Sequence, residues 1–112
     1  MTRPKYGNRK IEVDGYKFDS KAEAAHYQDL RLLARANKIR DLQVHPRWRL
    51  TVNGIDCGYY EADFAYFEDN ERVVIDIKSP ITAKNSTYRL KKRLIKAIYG
   101  LEIREIVYGR RS

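Results

Sequence analysis

Asp63, Asp76 and Lys78 are the residues whose types and spacing most directly suggest chemistry. Each aspartate interrupts a strand-like run, residues 59–67 and 72–78, where aspartate is disfavoured. Side chains alternate along a strand. Asp76 and Lys78 therefore leave one face of the second run together, with Val74, opposite Val73, Ile75 and Ile77. Between the runs lies the polar turn Glu68-Asp69-Asn70-Glu71. With Asp69-Asn70 as a two-residue loop, Glu68 pairs with Glu71, Phe67 with Arg72 and Phe64 with Ile75, and Asp63 falls opposite Asp76. Directly opposed residues hold their Cβ atoms about 4.5–5.5 Å apart. Two carboxylates so placed repel each other, and a divalent cation is the simplest compensation. Such a cation is a Lewis acid that lowers the pKa of a bound water. A lysine beside it orients that water or offsets developing negative charge. The set suits phosphodiester hydrolysis with magnesium, for which manganese can substitute, and needs no histidine or serine nucleophile and no small-molecule cofactor.

The charge of the chain points to a polyanionic partner. Lysine and arginine number 23 against 15 acids in 112 residues, a net charge of +8. Between residues 77 and 101 stand seven basic residues and no acid, and residues 1–10 add Arg3, Lys5, Arg9 and Lys10. A bias of that size in a small domain favours nucleic acid. Arg89, Lys91, Lys92, Arg93 and Lys96 fall within about two helical turns and cannot all face a core. They are candidate phosphate contacts, with Lys84 just before them and Lys5, Arg9 and Lys10 in a basic arm. No DNA-reading motif is present, so a fixed base code is not expected. No run of apolar residues approaches the length of a membrane span. A single cysteine, Cys57, suits a reducing compartment and hence the cytoplasm.

These residues need elements to position them. Residues 1–10 read as a flexible arm and residues 11–112 as one domain. Asp14-Gly15 between short alternating runs predicts a hairpin. Ser20 followed by Glu23 is a capping box, so a helix starts there and runs to about residue 36, with Tyr27, Leu30 and Leu33 on one side and Asn37 ending it. Three strands follow: residues 42–52 (with Pro46 implying an edge or bulge), 59–67 and 72–78. On the middle strand Tyr60, Ala62, Phe64 and Tyr66 are expected on one face, and Glu61, Asp63 and Ala65 on the other. A second helix spans residues 86–99 and stops at Gly100, with Leu90, Leu94, Ile95 and Ile98 inward. A last strand covers residues 102–108. The fold class is mixed α/β, in the order helix, three strands, helix, strand, behind an N-terminal hairpin. Glu23 is accounted for as the cap partner of Ser20. His26 shares its helix face, Glu61 is a candidate ligand for a second cation, and His45 has no assigned role.

Asp63, then Asp76-Ile77-Lys78 after a short hairpin, resembles the motif of the PD-(D/E)XK nuclease superfamily, whose core has the same element order. Asp19-Ser20-Lys21-Ala22-Glu23 is similar to its first-helix signature, in which a glutamate faces the metal. More narrowly, Lys5-Tyr6-Gly7-Asn8, Val13-Asp14-Gly15, Phe18-Asp19-Ser20, Ala62-Asp63-Phe64 and Tyr88-Arg89-Leu90-Lys91 resemble a family of small phage and prophage endonucleases likened to those that cleave Holliday junctions. Ala62 stands where the superfamily's name has proline, Asp76 where many members have glutamate, and His45 where the phage family suggests glutamine. The resemblance implies a catalytic and metal-binding set of Glu23, Asp63 and Asp76 with Lys78, and a DNA endonuclease selective for four-way or other branched DNA. If phage-encoded, it would work in the bacterial host's cytoplasm. Cutting both strands of a symmetric junction with one site per chain implies a homodimer. The rival expectations are a site-specific or homing-type nickase on the same fold, and a DNA-binding accessory protein without catalysis.

Overall fold

The computed structural model describes residues 10–109; Lys5 and Arg9 of the expected arm lie outside them. The chain opens with a hairpin of β1 (Ile11–Val13) and β2 (Tyr16–Phe18). Its turn residues Asp14 and Gly15 have φ of 54° and 84°, the positive values that a two-residue hairpin loop requires. Helix α1 (Lys21–Arg35) follows, capped by the Ser20 hydroxyl, which accepts the Glu23 N–H at 3.1 Å. It ends at Ala36, and Asn37 takes φ 60°. Then come β3 (Arg40–Val44), β4 (Arg47–Val52), β5 (Ile55–Glu61), β6 (Phe64–Glu68) and β7 (Glu71–Lys78). Helices α2 (Pro80–Ala83) and α3 (Ser86–Tyr99) lead to β8 (Ile103–Val107). Gly100 closes α3 at φ 70°, a left-handed value that glycine adopts without strain.

The central sheet has the order β3-β6-β7-β8. Its first two pairings are antiparallel, and β8 lies parallel to β7. A parallel neighbour needs a crossover, which α2 and α3 supply. The fold is thus mixed α/β, as the order of sequence patterns predicts. Both faces of the sheet are covered. On the α1 side Phe18, Ala24, Tyr27 and Leu30 pack on Phe64, Tyr66, Val73, Ile75 and Ile77. On the other side Tyr88 and Ile95 of α3 pack with Leu50, Tyr60, Ala65, Val74 and Ile103. Burial on both faces explains why Val73 through Ile77 are all enclosed.

The β6–β7 hairpin has the predicted register: Glu68 opposes Glu71 and Phe64 opposes Ile75, with Asp69 and Asn70 at φ 51° and 68°. Two expected strands are instead broken. Residues 42–52 divide into β3 and β4 at His45-Pro46, and residues 59–67 divide into β5 and β6 at Ala62-Asp63. The breaks face each other. His45 N–H donates to the Asp63 carbonyl at 2.9 Å, and Ala62 N–H donates to the Pro46 carbonyl at 3.0 Å. Beyond them β4 and β5 form a separate two-stranded ribbon that packs against α3. Pro46 removes a ladder donor, and His45 has φ 55°, outside extended geometry. The alternation of faces therefore resets. Tyr60 and Ala62 join the α3-side core, and Phe64 and Tyr66 the α1-side core, so the four do not share a face. Leu33 and Leu90, expected inward, are 41% and 51% exposed. At about 100° per residue Leu90 lies some 140° around the helix from Ile95; Tyr88 takes the inner place. The short helix α2 was not anticipated. Pro80 at its first position and a reciprocal Ser79–Thr82 capping box start it. No helix among the described residues is long and apolar enough to cross a membrane.

Candidate cation site and its basic surroundings

The break at Ala62-Asp63 builds the centre of the site. At the start of β6 the Asp63 N–H still reaches the Ile75 carbonyl of β7 at 3.2 Å, and the two aspartate side chains add further bonds across the pair. Asp63 N–H donates to Asp76 Oδ1 at 3.0 Å, and Ile77 N–H donates to Asp63 Oδ2 at 2.7 Å. The two carboxylates thus fall where the hairpin register puts them, each anchored to the other strand's backbone. Asp76 is wholly buried, and its second oxygen accepts the Tyr60 hydroxyl. Asp63 is half-buried, and one of its oxygens is not used by that bond.

Glu23 brings the third carboxylate from the first turn of α1. Its own backbone N–H binds Ser20, and its carboxylate lies 3.5 Å from the Ser20 hydroxyl, the outer limit of a hydrogen bond. The return bond of a capping box, from the Ser20 N–H to this carboxylate, is not formed among the described residues. The carboxylate instead turns toward Asp63. Glu23, His45 and Asp63 each offer a ligand atom, and these atoms lie within 4.8 Å of one another. The structure so gathers Glu23 and Asp63 of the expected ligands, adds His45, and leaves Asp76 behind Asp63 with its oxygens engaged by Tyr60 and the Asp63 amide.

The electrostatics match that geometry. Burial, and then the charge of Asp63, pushes the Glu23 carboxyl up to about 7. Burial pushes Asp76 up to about 6 and raises Asp63 as well. Lys78 is the cation whose charge works against this rise at all three. Its ammonium lies over the Tyr88 ring, 4.5 Å from the centroid. It follows Asp76 by two residues on β7, as the alternation predicts. Two buried carboxylates and a half-buried one, with Lys78 the one cation that acts on all three, form a cluster short of positive charge whose chemistry suits a divalent cation.

Other candidates fall elsewhere. Glu61 is exposed on the ribbon and pairs with Arg47 at 2.8 Å, so it does not join the cluster. His26 packs on Phe64 with ring centroids 5.8 Å apart, its buried Nε2 unpartnered, and burial lowers its pKa. Lys10 pairs with Asp19 at the surface. Lys84 is exposed beside α3. The α3 cations divide into two groups. Lys91 lies in a shallow recess of about 400 Å³ with Tyr59, Tyr60, Glu61, Lys78 and Tyr88. Arg89, Lys92, Arg93 and Lys96 line an open groove of about 270 Å³ against Leu101 and Ile103. Within it Lys92 binds Glu105 at 2.8 Å and Lys96 binds Glu102 at 2.6 Å. Arg89, Lys91 and Arg93 enter no ion pair among the described residues.

The sequence assigns His45 no role, and the structure sets it beside Glu23 and Asp63. The available signal was Pro46, which marks a break in the strand and hence a side chain that leaves the alternation. The chain belongs to a family described as a protein of unknown function (DUF1064), which matches residues 3–108. No curated protein and no solved structure matches it.

Proposed function

We propose that this chain is a divalent-cation-dependent DNA endonuclease of the PD-(D/E)XK type, acting on four-way or otherwise branched DNA. The observation that carries the reading is the convergence of Glu23 and Asp63 beside Asp76 and Lys78 at the end of the β6–β7 hairpin. The residues fit a cation. A glutamate whose carboxyl is held at about 7 by burial and a facing aspartate lacks the counter-charge that magnesium or manganese brings. Asp63 and Glu23 would hold it, and the Asp63 carboxylate is pre-aimed by the Ile77 amide. Asp76 fixes the Asp63 backbone from behind. When bound, the cation supplies Lewis-acid polarisation of the phosphate and an acidified water. Lys78 offsets charge developing on the phosphate oxygens. Lys91, in the recess shared with Lys78, and Arg89 and Arg93 on α3 are positioned to follow a phosphate backbone.

The preference for branched DNA rests on the family resemblance and on the lack of a base-reading element. A four-way junction is two-fold symmetric, and one site per chain calls for a homodimer to cut two strands in one binding event. The free cysteine, Cys57, fits work in the cytoplasm, a bacterial host's for a phage-encoded copy. The test is incubation with matched linear, forked and four-way DNA, with and without magnesium. The reading expects cation-dependent cuts near the branch point, fastest on the four-way substrate. Cuts that follow sequence on linear duplex would make it a site-specific nickase. Cation-independent binding with no cut on any substrate would make it an accessory DNA-binding protein.

A further inference from the structure

We propose that His45 is a direct ligand of the cation, and that the site consequently selects a transition-series ion, manganese ahead of magnesium. The inference rests on the reading that Glu23 and Asp63 hold a cation. His45 sits at the break between β3 and β4, in the left-handed region at φ 55°, where non-glycine residues are uncommon. That conformation takes its side chain out of the strand's alternation. Its N–H is tied to the Asp63 carbonyl at 2.9 Å, which fixes the two residues side by side. Its ring packs on Phe18, with centroids 5.6 Å apart. A ring nitrogen thereby comes within 4.8 Å of a carboxylate oxygen of both Glu23 and Asp63. Donors about 2.1 Å from one cation lie about 3–4 Å apart, so small side-chain adjustments close the set.

The donor chemistry decides the ion. Magnesium takes oxygen ligands and keeps several waters, and an imidazole gains it little. Manganese, iron and cobalt accept imidazole alongside carboxylate, and their affinities rise along the first-row series. An imidazole in a two-carboxylate site therefore raises the affinity for these ions more than for magnesium. His26 is the other histidine of the chain, and its buried Nε2 lies outside the group.

The test needs no DNA. Pulsed EPR on the full chain loaded with Mn2+ should show imidazole nitrogen coupling in wild type and in His26→Gln, and none in His45→Gln. Calorimetric titration should show the Mn2+ affinity of His45→Gln falling by about tenfold or more while Mg2+ affinity falls less than about threefold. His45→Asn, which takes the left-handed backbone more readily but is too short to reach, should behave likewise. Nitrogen coupling that is missing in wild type or persists in His45→Gln overturns the proposal, as does an equal loss of both ions. Absence of any Mn2+ binding overturns it together with the cation site. Mn2+ bound through His45 with no DNA cut upholds it and overturns only the nuclease reading.

Discussion

The carboxylate end of the β6–β7 hairpin and the outer face of α3 carry opposite charges on different terms. At the first, Asp76 is wholly enclosed, Glu23 nearly so, and both carboxyls are driven up by burial. At the second, Arg89 and Arg93 stand in solvent, where a charge costs almost nothing to keep. Exposed charges accumulate on a helix for solubility alone. Buried carboxylates cost several kcal/mol unless a partner compensates, so they are the stronger indication of a site. The α3 face is itself uneven. Lys92 and the Tyr88 hydroxyl both bind Glu105, and although burial acts to raise the Glu105 pKa, these two bonds hold it below the usual value. Lys92 is thus part of the fold's packing between α3 and β8, which the sequence pattern, reading five equivalent cations, could not distinguish.

After the loss of cleavage expected from Asp63→Asn, the largest effect that separates the two regions should come from Lys78→Ala. Cleavage is expected to fall by about two powers of ten or more, with DNA affinity nearly unchanged, if the ammonium acts on the transition state. Quench-flow rates beside binding titrations measure both. Equal losses in rate and affinity would move Lys78 to the phosphate-tracking group and erase the contrast.

Next is Glu23→Gln in the cation-free protein. The folded carboxyl titrates at about 7 against an ordinary 4.5. A raised acid favours its protonated form, so the stability it contributes is present below about 4.5 and is lost as pH rises through about 7. Asp76, at about 6 against 3.8, acts in the same direction. The apo protein should consequently melt lower at pH 8 than at pH 5, and Glu23→Gln should recover on the order of 1–3 kcal/mol at the higher pH. Calorimetry across pH checks this. An unchanged pH dependence in the variant would mean that Glu23 bears no strain from its neighbours.

The smallest effects belong to α3. Arg89→Ala with Arg93→Ala should leave the melting temperature alone and flatten the plot of log DNA affinity against log salt by about 0.9 per lost contact. Lys92→Ala should instead lower the melting temperature, because it strips Glu105 of its cation. A reversed pattern would show that these residues had been assigned to the wrong groups.

Much of this was legible in the sequence, for local reasons. Asp14-Gly15 and Asp69-Asn70 both take the positive φ that two-residue loops demand. Ser20 and Gly100 bound their helices. The opposition of Asp63 and Asp76 followed from counting out of one turn. What was not legible depends on non-local packing. Ala62-Asp63 contains no glycine or proline, so nothing local marks the break that resets the strand's faces. That break faces the one at His45-Pro46 in the neighbouring strand and is hydrogen-bonded to it. Pro46 marks the break beside His45, but which side chains meet across it is again set by non-local packing, as is the contact of the Tyr60 hydroxyl with Asp76.

The most direct test of the account is Asp63→Asn, assayed for cleavage and for DNA affinity in the same cation-containing buffer. The substitution keeps the side chain's size and its capacity to accept the Ile77 amide while removing the charge that would hold the cation. The account predicts that cleavage is abolished while affinity stays equal or rises, since a negative charge beside phosphate has gone. Cleavage at the wild-type rate, or lost binding with unchanged cleavage per bound complex, would contradict it.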